Sequence, residues 1–541
     1  MQPYLTLARL LDDISREGSR EAAAGQISSF LKALPPHLLC PFVRLLLGEL
    51  WPPWELREMG IGPFSVLRVL ESISGPQVHI HSREEQDPGL LAEACLQQKR
   101  QNPLSSEPLE AMAVYRGLRK ISLQSGKHSR YRKEAILRGL LLEATPLEGR
   151  YVVRTALRGM QAGLGPRLMV DALASAFHTP SEHIWDAFCR MPEMGMVANA
   201  VLEGSMDEVS IVPGRPVRPM LFSHGEYRPE KGAAACQVRY RGLRVQIHLS
   251  QDQFWVFTSR LRDITPALST FSESLLGMGH ELILDGELTG FKGQRLLSQA
   301  ELVRFINRKH LSRRSTVEPR LVVSDLLFMD GLDLTARDYQ DRRSLLEDLF
   351  SLTASPDGLP SVEDQEVSLV RHVALSGHQM LQSRGFQILV RDTRSPYLPG
   401  RMSREDFVLQ ARQLSVVAAV IEAKRGSTAD HEGFASYRVA LRDGDQLSPV
   451  GWVTVDRNDQ KPLLDGQILK LAARAEGKKI FLSPSGHVGA LPLMEIRLDG
   501  LRWVGGFSLI RPRVVRISLE GSRADVDALE TLTGNSDPSC S

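Results

Sequence analysis

The spacing of apolar residues changes along this chain, and the change divides it into parts that cannot share one fold. Up to about residue 205, apolar side chains recur at three- and four-residue intervals, as in "YLTLARLLDDI", "AILRGLLLEA" and "RLMVDALASAF". That interval puts them on one face of an α-helix. Breaks fall at "LPPHLLCP", "WPPW" and "GIGPF", where proline and glycine stop helices. An all-α domain over residues 1–205 is predicted, with "HSREEQDPG" as an exposed loop in it. "PGRPVRPM", Pro213 to Met220, then reads as an extended linker. Strands and helices alternate over 206–412, which predicts an α/β domain. There "QVRYRGLRVQIHL" and "QFWVFTSRL" read as a hairpin and "HELILDGELTGF" as another, with "LSQAELVRFINR" helical. "RLVVSDLLFMDG" and "FQILVRD" read as buried strands. From 413 to 530, "QLSVVAAVIEAKRG", "YRVALRDGDQLSPVGWVTV" and "LLDGQILKLAAR" predict short strands of a small all-β barrel of the OB type. Residues 531–541 read as a disordered tail.

A chain of 541 residues suits about three domains. Its 42% hydrophobic and 24% charged residues describe a soluble protein with proper cores. The formal charge of +2 announces no polyanion partner, so any such binding needs charge gathered on one face. Between Lys99 and Arg138, ten basic residues stand against three acidic ones. This reads either as a solvated helical face or as a phosphate-binding surface. Cys40, Cys95, Cys189, Cys236 and Cys540 are scattered without CxxC spacing, which argues for a reducing compartment and against disulfides or structural zinc. The N-terminus reads as an amphipathic helix, not a signal peptide. No apolar run approaches the ~20 residues that span a bilayer. A soluble, intracellular, monomeric protein is expected.

The segment "CQVRYRGLRVQIHLSQDQFWVFTSRLRDIT", Cys236 to Thr265, resembles the nucleotidyl-transfer motif of ATP-dependent DNA ligases, E-x-K-Y-D-G-x-R. "LPPHLLCPFVRLLLGELWPPW" and "EATPLEGRYVVRTALRGMQAGLG" are similar to the helical DNA-binding domain of those ligases. "VPGRPVRPML", "LILDGELTGF", "VVSDLLFMDGLDLTARDYQDRRSLLEDL", "RDTRSPYLPGR" and "GGFSLIRPRVVRISLE" resemble later segments in the family's order. The resemblance implies an all-α DNA-binding domain, an α/β ATP-grasp-like nucleotidyltransferase domain and an OB-fold barrel. It also implies DNA, nicked or intact, as partner, with repair or replication proteins beside it. The setting would be cytoplasmic and nucleoid-associated, or nuclear in a eukaryote.

The departures from the family pattern fall on its chemistry. Gln237 stands for the glutamate, Arg239 for the lysine that takes AMP and Arg241 for the aspartate. A guanidinium stays protonated and its lone pairs are delocalised, so it is a poor nucleophile. Ser324 stands where the family's aromatic stacks on adenine. Phe386, Gln387 and Arg391 replace the E-G-x-x-x-K residues, while Phe407, Leu409 and Ala411 replace W-x-K-x-K. "RISLEG", Arg516 to Gly521, lacks the lysine of R-x-D-K. Tyr240, Gly242, Arg244, Arg260 and Glu287 keep the pattern; Glu287 would be a metal ligand in an active member. Gly242 reads as serving backbone geometry at a turn, and His248 as a strand-surface residue. Lys231 is the nearest lysine in sequence that could stand in for Arg239.

Three readings follow. The first is a catalytically silent, ligase-like DNA-binding protein with no cofactor, ATP and Mg2+ being needed only if residual activity remains. Lys99, Arg100, Arg119, Lys120, Lys127, Arg130, Arg132, Lys133 and Arg167 would hold phosphates, with "GMQAGLGPR" as a backbone-contacting loop. The second is an enzyme sealing nicks that already carry a 5′-adenylate. The third is a protein-interaction scaffold in which Phe386, Phe407 and Trp255 fill the vacated cleft or face a partner. Arg239 and Arg241, on one face if extended, and Arg244 either form an anion site or pair with acids.

Overall fold

Proline and capping side chains set the helix starts in the first two hundred residues. Thr145 accepts from Glu148 N while the Glu148 carboxylate accepts from Thr145 N, and Pro146 takes the first helical position of Pro146–Ala156. Such a reciprocal cap is worth about 1 kcal/mol. Asp87 caps Pro88–Gln97, and Glu193 caps Met194–Glu203. Gly48 ends Leu39–Leu47 in the left-handed conformation that glycine adopts without strain. The structure, a computed structural model, describes residues 2–529 apart from 56, 77, 80–81, 83–84, 100–106, 226–233, 241, 293–294, 308–316, 351–366, 371–386, 410–413, 426–432, 445, 456–459, 477–478, 483–490, 499, 504–506 and 511.

One apolar core runs from Tyr4 to Val201 through the helices. The periodic segments are its inner faces: Tyr4–Arg16, Ser129–Glu143 and Pro166–Phe177 are all helical. The expected loop at "HSREEQDPG" is corrected at its end. Asp87 binds the Arg154 guanidinium at 2.7 Å, with both side chains largely buried, so this end is tied into the domain, while residues 81, 83 and 84 lie outside the described residues. The expected linker is also held. Val217 N donates to the Gln246 carboxamide oxygen at 2.9 Å, and Val217 and Met220 are buried.

Two sheets face one another in the middle of the chain. β1 (Leu221–Gly225), β2 (Ala234–Arg239), β10 (Gln387–Asp392) and β11 (Met402–Leu409) form one, ordered β1-β11-β10-β2. β3 (Leu243–Ser250), β4 (Gln253–Thr258), β5 (Leu282–Lys292), β7 (Glu318–Met329) and β8 (Leu332–Asp333) form the other, ordered β4-β3-β5-β7-β8. β6 (Arg295–Leu296) and β9 (Val367–Leu369) lie at its margins. The hairpin expected of β3 and β4 is present, closed at Ser250 and Gln253. "QVRYRGLRVQIHL" is not one strand, however, because the chain changes sheets between Arg239 and Leu243. "HELILDGELTGF" is likewise one continuous eleven-residue strand, turning only at its end into β6. Its Gly286 is no turn residue; a Cβ there would collide with the Val322 carbonyl.

Gly242 sits at the sheet change, where a Cβ would strike the Leu288 carbonyl oxygen. Backbone cannot yield as a flexible side chain does. Gly242→Ala is expected to cost about 1–3 kcal/mol, read as a lower urea midpoint; an unchanged midpoint would show that the strands separate freely there.

His248 corrects another expectation. It is fully buried in β3, edge-on to the Phe257 ring with centroids 5.0 Å apart, and does not lie on the strand surface. Burial holds the imidazole neutral down to about 3. The unfolded chain takes up this proton near pH 6.5 and the folded chain does not. Stability is therefore lost as pH falls from about 6.5 towards 3, by about 1.4 kcal/mol per unit at most. His248→Leu should flatten the pH dependence of the urea midpoint in that window, and a slope equal to the parent's would refute the assignment.

The C-terminal core is separate. β12 (Leu414–Arg425), β13 (Phe434–Asp443) and β14 (Gln446–Val453) form a meander. The helix Lys461–Lys470, β15 (Ala472–Glu476) and β16 (Lys479–Leu482) follow. β17 (Leu493–Leu498), β18 (Gly500–Trp503), β19 (Phe507–Ile510) and β20 (Arg513–Ser518) complete the domain. The path β14-β13-β12-β17-β20, with a helix between the third and fourth of these strands along the chain, is the OB arrangement in a curled sheet. "LLDGQILKLAAR" is corrected: most of it is that helix, whose Leu464 and Ile468 reach the core at four-residue spacing. Among the described residues no helix is long and apolar enough to cross a membrane.

Candidate functional site

The crevice between the two central sheets gathers the motif residues. β2 brings Gln237 and Arg239, β3 Arg244, β5 Glu287, β7 Ser324 and β10 Arg391. Together they line a cavity of about 30 Å³. That holds a water or so, whereas ligand pockets run to roughly 300–1,000 Å³.

Ion pairs fill the space. Arg239 Nε donates to Glu287 Oε1 at 3.0 Å, and Tyr240 N donates to the other carboxylate oxygen at 2.9 Å. Arg244 grips Asp285 with Nε and Nη2, its Nε contact being 3.1 Å. Tyr397 donates to the same carboxylate at 2.8 Å. Arg391 is almost fully enclosed. Its Nη2 donates to Asp325 at 3.0 Å and its Nε to Asp406 at 2.8 Å, while the guanidinium carbon lies 4.2 Å above the Tyr339 ring. Arg342 closes the cluster with two bonds to Asp325, at 2.9 and 3.0 Å. Burial alone would raise the Asp325 carboxyl, but Arg342 and Arg391 overcome it and bring it down to about 2. Asp406, with Arg391 as its guanidinium partner, stays above the usual carboxylate range because burial dominates.

The remaining motif residues are similarly committed. Gln237 donates to the Ser324 carbonyl at 3.0 Å and also meets the Tyr339 hydroxyl; Ser324 Oγ donates to the Asp285 carbonyl at 3.0 Å. Arg260 is exposed in the turn after β4, outside the cavity lining. Phe407 is half-buried against Gly225, and Trp255 packs on Gly214 at 3.4 Å from where a Cβ would stand. Arg241, Phe386, Lys231, Ala411 and Arg100 lie outside the described residues.

ATP and Mg2+, which the motif pattern implies, do not fit these residues. Arg239, which the resemblance aligns with the nucleophilic lysine, is a paired guanidinium, the cavity is too small, and Glu287 spends both oxygens on Arg239 and Tyr240. Among the described residues no group of three or more His, Cys, Asp or Glu could hold a metal ion.

The basic stretch divides by role. Lys99 Nζ donates to the Leu142 carbonyl at 3.0 Å and also meets Ala144 O at the end of Ser129–Glu143. Lys133 is buried and donates to Met59 O at 2.8 Å. Arg132 braces the Ser125–Lys127 turn, and Arg119 bonds the Tyr115 hydroxyl at 2.9 Å. Arg167 stacks 3.4 Å over Trp185. Lys120, Lys127 and Arg130 remain exposed, Arg130 beside Glu134. The resemblance did not point to Asp285, Asp325, Arg342, Tyr397 or Asp406. For Asp285 and Asp325 the signal was an aspartate inside an apolar strand, as in "LILDGEL" and "VVSDLL", which calls for buried polar or charged partners.

A two-sheet nucleotidyltransferase crevice between an all-helical domain and a curled β domain defines the class: a three-domain nucleic-acid ligase architecture. Residues 3–174 match the family model DNA ligase N terminus, and 220–407 match ATP dependent DNA ligase domain. The chain belongs to the ATP-dependent DNA ligase family. It is 27% identical to the DNA ligase of Methanoculleus marisnigri over 98% of this chain and 97% of that one. It is 28% identical to the DNA ligase of Thermococcus onnurineus over 98% and 97%. The ligase domain from M. tuberculosis LigD superposes with a TM-score of 0.32 at 18% identity, covering 57% of this chain and 97% of that domain.

Proposed function

We propose that this chain is a monomeric ligase-family DNA-binding protein that cannot charge itself with AMP, its domains dividing at 1–205, 206–412 and 413–530. The observation that carries the reading is Arg239, a guanidinium tied to Glu287 at 3.0 Å where the family places its nucleophilic lysine. Duplex DNA would be held through phosphates, independent of sequence and strongly salt-dependent. Its nick preference would come from the domain arrangement, in a repair or replication setting.

The full-length relatives carry the name DNA ligase, and taken alone this favours the enzymatic alternative over a silent protein. The form compatible with Arg239 is closure of a nick already bearing a 5′-adenylate. There the 3′-hydroxyl attacks the phosphate and AMP leaves, so no protein nucleophile takes part. Binding to nicked and intact duplexes across a salt series tests the first reading, and joining of a pre-adenylated nick tests the second. No duplex affinity at low salt would end the DNA role, and a joined product would make the chain an enzyme.

Within the basic stretch the exposed and buried cations should separate. Lys127→Ala and Lys120→Ala are expected to weaken duplex binding and each lower the salt slope by about one. Lys133→Met should lower the thermal midpoint instead, since its ammonium is spent on Met59 O. Equal effects of all three on binding would contradict this division.

A further inference from the structure

On the face of the C-terminal sheet turned away from its core, side chains from five strands stand in one row. Register pairs Arg474 of β15 with Phe481 of β16, Phe481 with Glu422 of β12, Glu422 with Arg438 of β13, and Arg438 with Trp452 of β14. Directly paired residues share a face of a sheet. Their sequence neighbours Ile480, Ala423, Tyr437 and Val453 belong to the buried core, so the row faces outward.

The row is neither a core nor an ordinary solvated surface. Trp452 is 38% exposed, and Lys479 Nζ lies 5.7 Å from its ring centroid. The carboxylate in the row is sunk: Glu422 is 1% exposed. From there it holds Arg438 at 3.2 Å and Lys479 at 3.0 Å, leaving those side chains 40% and 43% exposed. A buried acid thus orients two accessible cations beside an accessible indole. Arg474, 72% exposed and paired with Glu476, extends the row past Phe481.

We infer that this row is a platform for single-stranded nucleic acid, with unpaired bases stacking on Trp452 and Phe481 and backbone phosphates lying against Arg438, Lys479 and Arg474. Aromatic faces accept any base, and flanking cations follow the backbone. Four strand intervals of about 4.8 Å put the ends of the row roughly 19 Å apart, a span of several nucleotides. An intact duplex keeps its bases paired and stacked on each other, so it cannot use the indole. The inference goes beyond the duplex binding proposed above and does not depend on it.

The test uses the full chain, a fluorescein-labelled oligothymidine of about 20 nucleotides and a nicked duplex, read by anisotropy. Trp452→Ala should weaken oligothymidine binding roughly tenfold, with Trp452→Phe restoring most of it and nicked-duplex affinity unchanged. Arg474→Ala, too exposed to disturb the core, should lower the single-strand salt slope by about 0.7. The inference is overturned if the parent does not bind oligothymidine, or if Trp452→Ala and Arg474→Ala leave its binding unchanged. Equal loss on the duplex would also overturn it, making the row a duplex contact. Loss of duplex binding by the parent alone would strike the proposed function and leave this inference standing.

Discussion

Incubated with ATP and Mg2+, the protein should keep its unmodified intact mass, and Arg239→Lys should not acquire AMP. Restoring an amine supplies a nucleophile that can lose its proton. It does not supply space, because the crevice admits about 30 Å³. Nor does it free the neighbouring carboxylates. Glu287 remains bonded to Tyr240 N, and Asp285 remains within the reach of Arg244 and Tyr397. Adenylyl transfer relies on preorganised electrostatics around the phosphate, and here those charges neutralise one another. The expected loss relative to an intact ligase is thus complete within the assay. An AMP adduct on any lysine of the parent, found by intact-mass analysis, would refute the account.

Asp325→Ala should lower the unfolding midpoint of the central domain by on the order of 10 °C, corresponding to about 3–5 kcal/mol. The carboxylate it removes is shared by Arg342 and Arg391, whose side chains are 0% and 2% exposed. Neither guanidinium can turn to water, so both would be left short of charge compensation. Asp325→Asn keeps the shape and should fall between parent and Ala. The pH dependence has the sign of a depressed carboxyl: its folded value is about 2, below the ordinary value near 3.9. The contribution is present above the unfolded value and is lost as pH falls towards 2. Differential scanning calorimetry of the three proteins decides. A midpoint for Asp325→Ala within about 1 °C of the parent would mean that the cluster contributes nothing net.

Much of the fold was legible because it rests on local rules. Helical spacing marked Tyr4–Arg16 and Pro166–Phe177, and the apolar run "RLVVSDLLFM" marked β7. The differences have separate causes. A glycine inside an apolar strand pattern suits a turn equally well, as at Gly242 and in "HELILDGELTGF". There it serves close approach of a neighbouring strand's carbonyl, a contact with a residue distant in sequence. "LLDGQILKLAAR" was ambiguous because short apolar runs fit either period. His248 looked like a surface residue because alternation along one strand does not reveal that the opposite face is also covered.

The amino-acid sequence by itself determined that Arg239 cannot serve as an amine nucleophile wherever it sits, since that is a property of the guanidinium. It also determined the order of the three parts, because hydrophobic period is a local property of the chain. Only the tertiary structure decided what the substituted residues do instead. Whether Arg239, Arg244 and Arg391 would hold a ligand's phosphate or the protein's own acids depends on where Glu287, Asp285, Asp325 and Asp406 lie. Those partners come from other strands, up to 66 residues away in the case of Arg391 and Asp325. Burial then settles the matter, since a desolvated cation is stable only beside a fixed negative charge.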